Sequence, residues 1–255
     1  MDNSTGKPII GVLLGDATGI GPELIAKIIA EGYFAPRCHP IVIGDRRVLE
    51  QGMRQAGADF SFRVISAIDK PDLASPVNLL DTGNLDPAKV KIGEISAVSG
   101  KAMAETLLRT VDYCRLGHLN GIVFAPLNKA ALKAGGYDCE SEHSLVGHHL
   151  GLTTPFGEIN VLDGVFTTRV TSHIPLKDVS AQINRQSVLA AIRLLDDTVR
   201  RAGNPRPRLG VAALNPHSGE NGTCGREEID AIAPAVAAAR TEGMDAVGPI
   251  SADVL

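Results

Sequence analysis

The chain has 255 residues, 44% of them hydrophobic, which suffices for one large domain or two ordinary domains with buried cores. Its formal charge of -4 excludes the basic surface that a nucleic-acid-binding protein needs. No basic segment followed by a long apolar stretch opens the chain, and no apolar run is long enough to span a membrane. We therefore predict a cytoplasmic protein that binds a small molecule, with neither nucleic acid nor a membrane as partner.

The four cysteines stand far apart and form no CxxC pair: Cys38, Cys114, Cys139 and Cys224. This spacing indicates neither a disulfide framework nor a zinc site built from thiolates. We predict ordinary free thiols.

Short apolar runs alternate with helical patterns along the chain. The runs that predict strands, mostly buried on both faces, are PIIGVLL, PIVIGD, GIVFAP, EINVLDG, RLGVAAL and MDAVGPI. A long helix is predicted over 95–116, ending before Gly117. Apolar residues spaced by three or four predict two more helices around 188–199 and 229–240. The alternation predicts an α/β fold in which helices cover a sheet.

The segment LLGDATGIGPELIAKII, residues 13–29, joins the first strand to a helical pattern through a turn with three glycines and a proline: Gly15, Gly19, Gly21 and Pro22. The spacing matches neither GxGxxG nor a P-loop. Asp16 and Glu23 are expected to repel a phosphate group. Two interpretations of the segment remain open: a tight structural turn, and a loop that lines a ligand site.

A loop-rich segment at 135–157 is the expected crossing between two domains. We place the domains at 1–135 and 136–255. The segment contains His143, His148 and His149, which would form a solvated helix face or supply a nitrogen ligand to a metal.

Two other histidines follow strand-like runs. His173 lies in TSHIP after GVFTTRVT, and His217 lies in LNPHSGE after RLGVAAL. Open α/β sheets gather their chemistry at the carboxyl ends of strands. From the residues alone, a hydrogen-bonded loop histidine and a metal ligand remain alternatives for both.

At the end of the chain, Ser251 and Asp253 are good N-cap residues, yet Leu255 is the last residue and no helix follows. We expect either a fragment or a sequence from which further residues are missing.

The segment GDATGIGPE resembles GDPAGIGPE of the 4-hydroxythreonine-4-phosphate dehydrogenase family and, more distantly, GDGIGPE of isopropylmalate and isocitrate dehydrogenases. The similarity continues in order through APLNKAALKAGGY, TSHIPLKDV, LNPHSGENGTCGREEID and GMDAVGPISADVL. The resemblance implies a two-domain, three-layer αβα fold of the isocitrate/isopropylmalate dehydrogenase type. Family members continue for roughly another quarter of their length, beginning near a YHDQG segment that this chain does not reach.

The resemblance also implies an activity. Family members oxidise a phosphorylated four-carbon hydroxy acid with NAD, or in some cases NADP, and the product then loses carbon dioxide. The usual substrate is 4-phosphohydroxythreonine, and relatives take 4-phosphothreonate, 4-phosphoerythronate or dihydrodiol carboxylates. A divalent cation such as zinc, magnesium, cobalt or manganese is bound by His173, His217 and the YHDQG histidine, across a homodimer interface.

Four further positions match the family's site. Lys129, in LNKAAL, corresponds to a residue that handles substrate or a proton, and Asp253 to one that lines the site. Without the resemblance, Lys129 would be a solvated lysine at a helix start and Asp253 an N-cap. Gly19 and Ile20 are the expected wall of the cofactor cleft between the two domains.

One motif departs from the family. Where members carry GHTE, whose His and Thr touch substrate, this chain has Glu140, Ser141, Glu142 and His143. We take the last three as the candidate substrate-binding residues. A glutamate facing a phosphorylated substrate would lower its affinity by like-charge repulsion, so the identity of the substrate is left open.

Two other functions remain as alternatives. One is a metal-dependent lyase or aldolase acting on a sugar acid without a nicotinamide cofactor. The other is a shortened dimeric module that binds a small acid without catalysis. Appearance of NADH absorbance distinguishes the dehydrogenase from the lyase, and the mass of the natural product tests the shortened form.

Overall fold

The computed structural model describes residues 6–139, 141–153 and 156–254. The chain divides into two compact units, Met1–Leu150 and Gly151–Leu255.

The first unit is built on a five-stranded sheet whose described strands are all parallel. The strands are β1 (Ile9–Leu13), β2 (His39–Gly44), β3 (Arg63–Ile65), β4 (Asn78–Asp81) and β5 (Gly121–Phe124). Their order is β3-β4-β2-β1-β5. The connections therefore run away from β1 on one side, through β2, and return to its other side at β5. This change of direction is a topological switch point, where open α/β sheets hold their ligands.

Helices cover both faces of this sheet. They are α1 (Gly21–Ala30), α2 (Arg46–Ala56), α3 (Ala97–Arg115), α4 (Lys129–Ala134) and α5 (Glu142–His149). Val12 and Val42 point to the face that packs with α1 and α2. Leu13 points to the opposite face, where it packs with residues of α3, α4 and α5. The alternation of side chains along a strand thus produces three layers.

The second unit contains an antiparallel hairpin and a parallel pair. The hairpin consists of β6 (Asn160–Leu162) and β7 (Val165–Thr167). The pair consists of β8 (Arg208–Ala212) and β9 (Asp245–Ile250), and helices α6 (Val179–Gln182), α7 (Arg185–Arg201) and α8 (Ala233–Thr241) complete the unit. A π-helical turn, Glu228–Ile232, leads into α8. The core of the unit contains Val188, Ile192, Leu209, Val236 and Ala246.

The six predicted strands all form, and the predicted helix at 95–116 is α3. The prediction that these strands are mostly buried on both faces holds for β1 and β2. It is wrong for β5, β6, β8 and β9, each of which has at most one buried residue. The difference is greatest at β6. The EINVLDG run was expected to be buried, but Val161 and Leu162 of β6 are 60% and 75% exposed. The reason is that Asp163 and Gly164, both at positive φ, turn the chain back after three residues. A short hairpin of this kind leaves its apolar side chains in solvent.

The division into units falls within the loop-rich segment 135–157, but later than the boundary that we placed at 135–136. The reason lies in packing. Leu132 of α4 and Leu145 of α5 are buried in the same cluster as Leu107 of α3. Both helices therefore belong to the first unit.

Of the described helices, none has the length and apolarity to cross a membrane. The four cysteines are free thiols, as predicted. Burial raises the pKa of Cys38, Cys114 and Cys139, which makes these thiols less reactive at neutral pH.

Candidate active site

The glycine-rich loop between β1 and α1 is organised around one buried carboxylate. Asp16 is 4% exposed. Its Oδ1 accepts hydrogen bonds from the Thr18 backbone N–H at 3.1 Å, the Thr18 hydroxyl at 3.0 Å and the Ser99 hydroxyl at 2.6 Å. The carboxylate is turned inward and organises the loop, and the expectation that it repels a phosphate stays a prediction.

Two of the three glycines are required by close backbone approach. Gly15 has φ +73, and a Cβ there would lie 2.6 Å from the carbonyl oxygen of Pro126. At Gly21 a Cβ would lie 2.3 Å from the carbonyl oxygen of Leu14. The backbone N–H of Asp16 donates to Pro126 O at 3.0 Å. The loop therefore packs directly on the segment that follows β5, as the tight-turn interpretation requires.

The candidate cofactor residues, Gly19 and Ile20, lie at the exposed end of this loop. The Gly19 N–H donates to Asp16 O at 3.0 Å, and a Cβ at Gly19 would meet nothing closer than 3.5 Å. Ile20 is 66% exposed. Neither residue is therefore needed for packing in the way that Gly15 and Gly21 are. Their role at the cofactor stays a prediction.

Lys129 lies at the same edge of the sheet as the glycine loop. It is the first residue of α4, after Asn128, whose side chain caps the helix by accepting from the Ala131 N–H at 3.0 Å. Since Leu13 is paired with Phe124 in the parallel ladder, the segments after β1 and β5 emerge side by side. Lys129 is exposed, so its ammonium group is accessible to an anionic ligand.

The candidate substrate residues start α5. Ser141 is the N-cap, and its hydroxyl accepts from the Ser144 N–H at 3.3 Å and lies 3.3 Å from His143 Nε2. Glu142 occupies the first turn, next to the positive end of the helix dipole. Ser141 and His143 therefore contact each other at the start of α5. Glu140 lies outside the described residues.

Glu142 and Lys129 act in opposite directions on the pKa of Cys139. Burial raises the pKa of the Cys139 thiol most, Glu142 and Asp138 raise it further, and Lys129 lowers it. The carboxylate of Glu142 and the ammonium of Lys129 thus both act on one thiol, and they carry opposite charges near the start of α5.

The other two histidines of α5, His148 and His149, have different surroundings. Nε2 of His149 lies within hydrogen-bond distance of Asp112 Oδ2 on α3, at 3.1 Å, while His148 is exposed. The interpretation as a solvated face holds for His148, whereas His149 attaches α5 to α3.

The candidate metal ligands, His173 and His217, belong to the second unit. Both are exposed, and both have positive φ, 55° and 50°. A non-glycine residue rarely adopts this conformation, and such strain concentrates at functional sites. His173 follows β7 of the hairpin and His217 follows β8 of the parallel pair, so the strands that precede them belong to different sheets.

The structure places His217 and Asp253 after the same end of one strand pair. β8 and β9 are parallel, with Ala212 opposite Ile250, so the segments that follow them leave the pair at the same end. A hydrogen bond donated by the Ser251 hydroxyl lowers the pKa of Asp253 most, and an electrostatic contribution from His217 lowers it further. Asp253 is therefore an anion at neutral pH.

A cluster that the sequence pattern does not reveal supports His217. It consists of Asn215, Glu227 and Glu228. Glu228 Oε1 accepts from the backbone N–H groups of Leu214, at 2.8 Å, and Asn215, at 2.7 Å. The side-chain amide of Asn215 donates to Glu228 Oε2 at 2.9 Å and to Glu227 Oε2 at 2.7 Å. These hydrogen bonds join residues that are 12 to 14 positions apart in the sequence, so no local sequence pattern indicates them.

Hydrogen bonding keeps both glutamates of this cluster ionised. Hydrogen bonds from the side chains of Ser180 and Asn215 lower the pKa of Glu227 to about 2. Burial acts to raise the pKa of Glu228, but the bonds from Asn215 and the backbone outweigh it and the pKa is lowered.

The described donor atoms fit a divalent cation only in part. Among residues 6–139, 141–153 and 156–254, no three side chains of His, Cys, Asp or Glu are grouped so as to hold a metal ion. His217 and Asp253 nevertheless offer a nitrogen and an oxygen donor on segments that follow the same end of the β8–β9 pair. Such a set fits zinc and related divalent ions, with other positions left for water, substrate or further ligands.

Comparisons with known proteins agree with this architecture. The family model for the pyridoxal phosphate biosynthetic protein PdxA matches residues 36–255. A Pseudomonas aeruginosa protein provisionally named 4-hydroxythreonine-4-phosphate dehydrogenase 2 is 42% identical, over 99% of this chain and 75% of its own length. The D-threonate 4-phosphate dehydrogenase of Cupriavidus necator is 39% identical, over 97% of this chain and 74% of its own length.

A solved structure gives the same result. The 4-hydroxythreonine-4-phosphate dehydrogenase of Klebsiella pneumoniae superimposes with a TM-score of 0.89 at 32% identity, covering 98% of this chain and 76% of that one. The likeness confirms the predicted α/β fold class. The chain spans about three quarters of the length of these relatives and belongs to the PdxA family.

Proposed function

We propose that this protein is a dehydrogenase that oxidises a phosphorylated four-carbon hydroxy acid, such as 4-phosphohydroxythreonine or 4-phosphothreonate, by hydride transfer to NAD or NADP, with subsequent loss of carbon dioxide. Membership of the PdxA family and the names of its relatives support a dehydrogenase acting on a phosphorylated acid. The observation that carries the proposal is the pair of His217 and Asp253 at the common end of β8 and β9.

In this proposal the second unit is the metal side, with His173 and His217 as protein ligands. His173 and His217 would hold a divalent cation through their ring nitrogens, and the cation would supply Lewis-acid polarisation of the substrate hydroxyl and of the ketone oxygen. Asp253 remains ionised because its pKa is lowered, so it suits hydrogen-bond acceptance and orientation better than proton abstraction at neutral pH.

The first unit is the cofactor side. Gly19 and Ile20 provide an exposed loop end at the switch point of the sheet. The carboxylates of this segment are already paired, Asp16 inside the loop and Glu23 with Lys27 at 2.5 Å. A negatively charged dinucleotide therefore meets less repulsion here than the sequence indicates.

Substrate binding is assigned to Lys129 and the start of α5. The Lys129 ammonium attracts a carboxylate or phosphate and offsets the charge of Glu142. The hydroxyl of Ser141 and the ring of His143, which lie 3.3 Å apart, are polar groups suited to a hydroxy acid. The position of Glu142 favours a substrate with a hydroxyl or ammonium group next to its anionic groups.

We assign the exposed hairpin to a homodimer interface. Val161, Leu162 and Val165 are all at least 60% exposed, an apolar surface on two short strands. A second copy of the chain would remove this surface from water. Sedimentation of the protein and of Leu162→Glu tests the assignment. We expect a dimer for the first and a monomer for the second.

The activity is tested by the growth of NADH or NADPH absorbance after addition of cofactor, divalent cation and each candidate acid, with carbon dioxide measured in parallel. His217→Ala and His173→Ala should each abolish turnover and metal uptake together. His148→Ala, which removes an exposed histidine on α5, is the control and should retain both.

Either of two results would contradict the proposal and establish one of the alternatives. Substrate cleavage without reduced nicotinamide would establish the lyase alternative. Binding of the acids without any turnover in the presence of metal and either cofactor would establish the binding module.

A further inference from the structure

The turn that carries His217 has positive φ over six consecutive residues. His217, Ser218, Gly219, Glu220, Asn221 and Gly222 have φ values of 50°, 55°, 77°, 45°, 56° and 95°. L-amino acids disfavour this conformation because Cβ approaches the following carbonyl oxygen. A run with four non-glycine residues persists only where surrounding contacts over-determine it.

Glu228 supplies these contacts on the N-terminal side of His217. Its carboxylate accepts three hydrogen bonds, from the backbone N–H groups of Leu214 and Asn215 and from the Asn215 side chain, at 2.7–2.9 Å. A carboxylate has only acceptor positions, so all three donors are satisfied. The two residues that enter the turn are thereby fixed by a single side chain.

Glu228 also contacts the turn on the C-terminal side of His217. Gly219 is buried, and a Cβ there would lie 2.8 Å from Glu228 Oε2 and 2.7 Å from the carbonyl oxygen of Gly225. The carboxylate thus lies against the chain both before and after His217.

The carboxylate itself is held by the core of the second unit. Glu228 is 3% exposed and begins the π-helical turn before α8. In the same turn, Ile232 is buried with Val236 and Leu209. π-Helical turns inside helices are frequent at functional sites, where they redirect a side chain. The core therefore fixes the position of Glu228, and Glu228 fixes the turn.

We propose that Glu228 is a positioning residue: it holds the left-handed turn in the conformation that presents His217 at the end of the β8–β9 pair that Asp253 also follows. For the consequence on metal binding, this inference rests on the proposed function. The contacts by which Glu228 fixes the turn do not involve a metal.

The test compares Glu228→Gln with Asp230→Asn. Glutamine has nearly the same shape but replaces one of the two acceptor oxygens by an NH2 group, so the three donors no longer all have an acceptor, whereas Asp230 is exposed and pairs with Arg226 on the same turn. Hydrogen exchange reports on the backbone amides of Leu214 and Asn215, and cobalt(II) alone serves as the metal probe, in the absence of substrate and cofactor.

For Glu228→Gln we expect exchange at Leu214 and Asn215 to accelerate about tenfold or more, with cobalt affinity falling by a similar factor. Asp230→Asn should leave both unchanged. Glu228→Asp keeps the charge but shortens the side chain, so it should give a smaller loss, and it replaces Glu228→Gln if that variant does not fold. Turnover should fall mainly through kcat rather than KM, because the group acts on the reacting end of the site.

The outcomes separate the two claims. A folded Glu228 variant with wild-type exchange at both amides would overturn the positioning role. If His217→Ala leaves cobalt affinity unchanged, the metal assignment fails, and the exchange at Leu214 and Asn215 still decides whether Glu228 holds the turn. Faster exchange with unchanged cobalt affinity, in a protein whose His217→Ala variant loses the metal, would also overturn the inference.

Discussion

The glycine-rich loop of the first unit and the His217 turn of the second are built on the same plan with one difference. Each follows a parallel strand, and each is held by one buried carboxylate, Asp16 or Glu228. In the first loop the residue at positive φ, Gly15, is a glycine. In the second turn, four of the six consecutive residues at positive φ have side chains.

The difference indicates where strain is retained. Gly15 adopts its conformation at little cost, so the first loop is an unstrained turn with an exposed end. The second turn costs free energy at each non-glycine position, and the protein keeps a histidine at one of them. Strain that a glycine would remove is expected to persist where a side chain has a function.

The largest effect should come from adding one methyl group to the unstrained loop. Gly15→Ala introduces a Cβ that clashes with the carbonyl groups of Ala125 and Pro126, at positive φ. We expect a loss of about 4 kcal/mol in the free energy of unfolding. Circular dichroism during urea unfolding measures it, since the chain has no tryptophan. Gly19→Ala is the control and should change stability by less than about 1 kcal/mol.

The next effect tests the carboxylate of the first loop. Asp16→Ala leaves the Thr18 N–H and the hydroxyls of Thr18 and Ser99 without their acceptor in a buried place. We expect a loss of about 3 kcal/mol in the same urea experiment. Asp138→Ala removes an exposed carboxylate paired with Lys133, and should cost less than about 1 kcal/mol. Equal losses for the two variants would contradict the role of Asp16.

A smaller effect, of opposite sign, tests the strain in the second turn. His217→Gly relieves the positive φ of one residue, and we expect the free energy of unfolding to rise by about 1 kcal/mol, reduced by the entropy of glycine in the unfolded chain. Metal uptake should be lost. Ser218→Gly is the matched control at the adjacent left-handed position, and should gain similar stability while metal uptake is retained. Destabilisation of both variants would show that the turn is not strained.

The smallest effect is a pH dependence of the second unit. The pKa of Glu227 is lowered from 4.5 to about 2 in the folded protein. The ionised form is therefore stabilised by folding, and this contribution is fully present above pH 4.5 and lost as the pH falls toward 2. Glu227→Gln should flatten the fall of stability across that range in urea titrations. Asp163→Asn, in the exposed hairpin turn, should keep the wild-type slope.

Much of the fold follows from local patterns. Helix α3 is an example. Leu107 and Val111 are buried four residues apart, Ser96 caps the start of the helix, and Gly117 follows its end at positive φ. All of these signals come from residues within or next to the helix. His217 could be selected as a candidate because it follows an apolar strand pattern, whereas Asp253 is selected only by the resemblance to the family. The short strands β3 and β4 could not be predicted in this way, since Arg63–Ile65 and Asn78–Asp81 are too short to carry a periodic signal.

Local residue patterns specify the α/β class, the helices with clear apolar periods and the residue types available for chemistry, because these depend on residues a few positions apart. The hydrogen bond between Asp16 and Ser99, 83 residues apart, and the contacts of Glu228 on both sides of His217 depend instead on tertiary packing. A polar side chain has many possible partners along the sequence. Packing brings a few of them within hydrogen-bond distance and excludes water there.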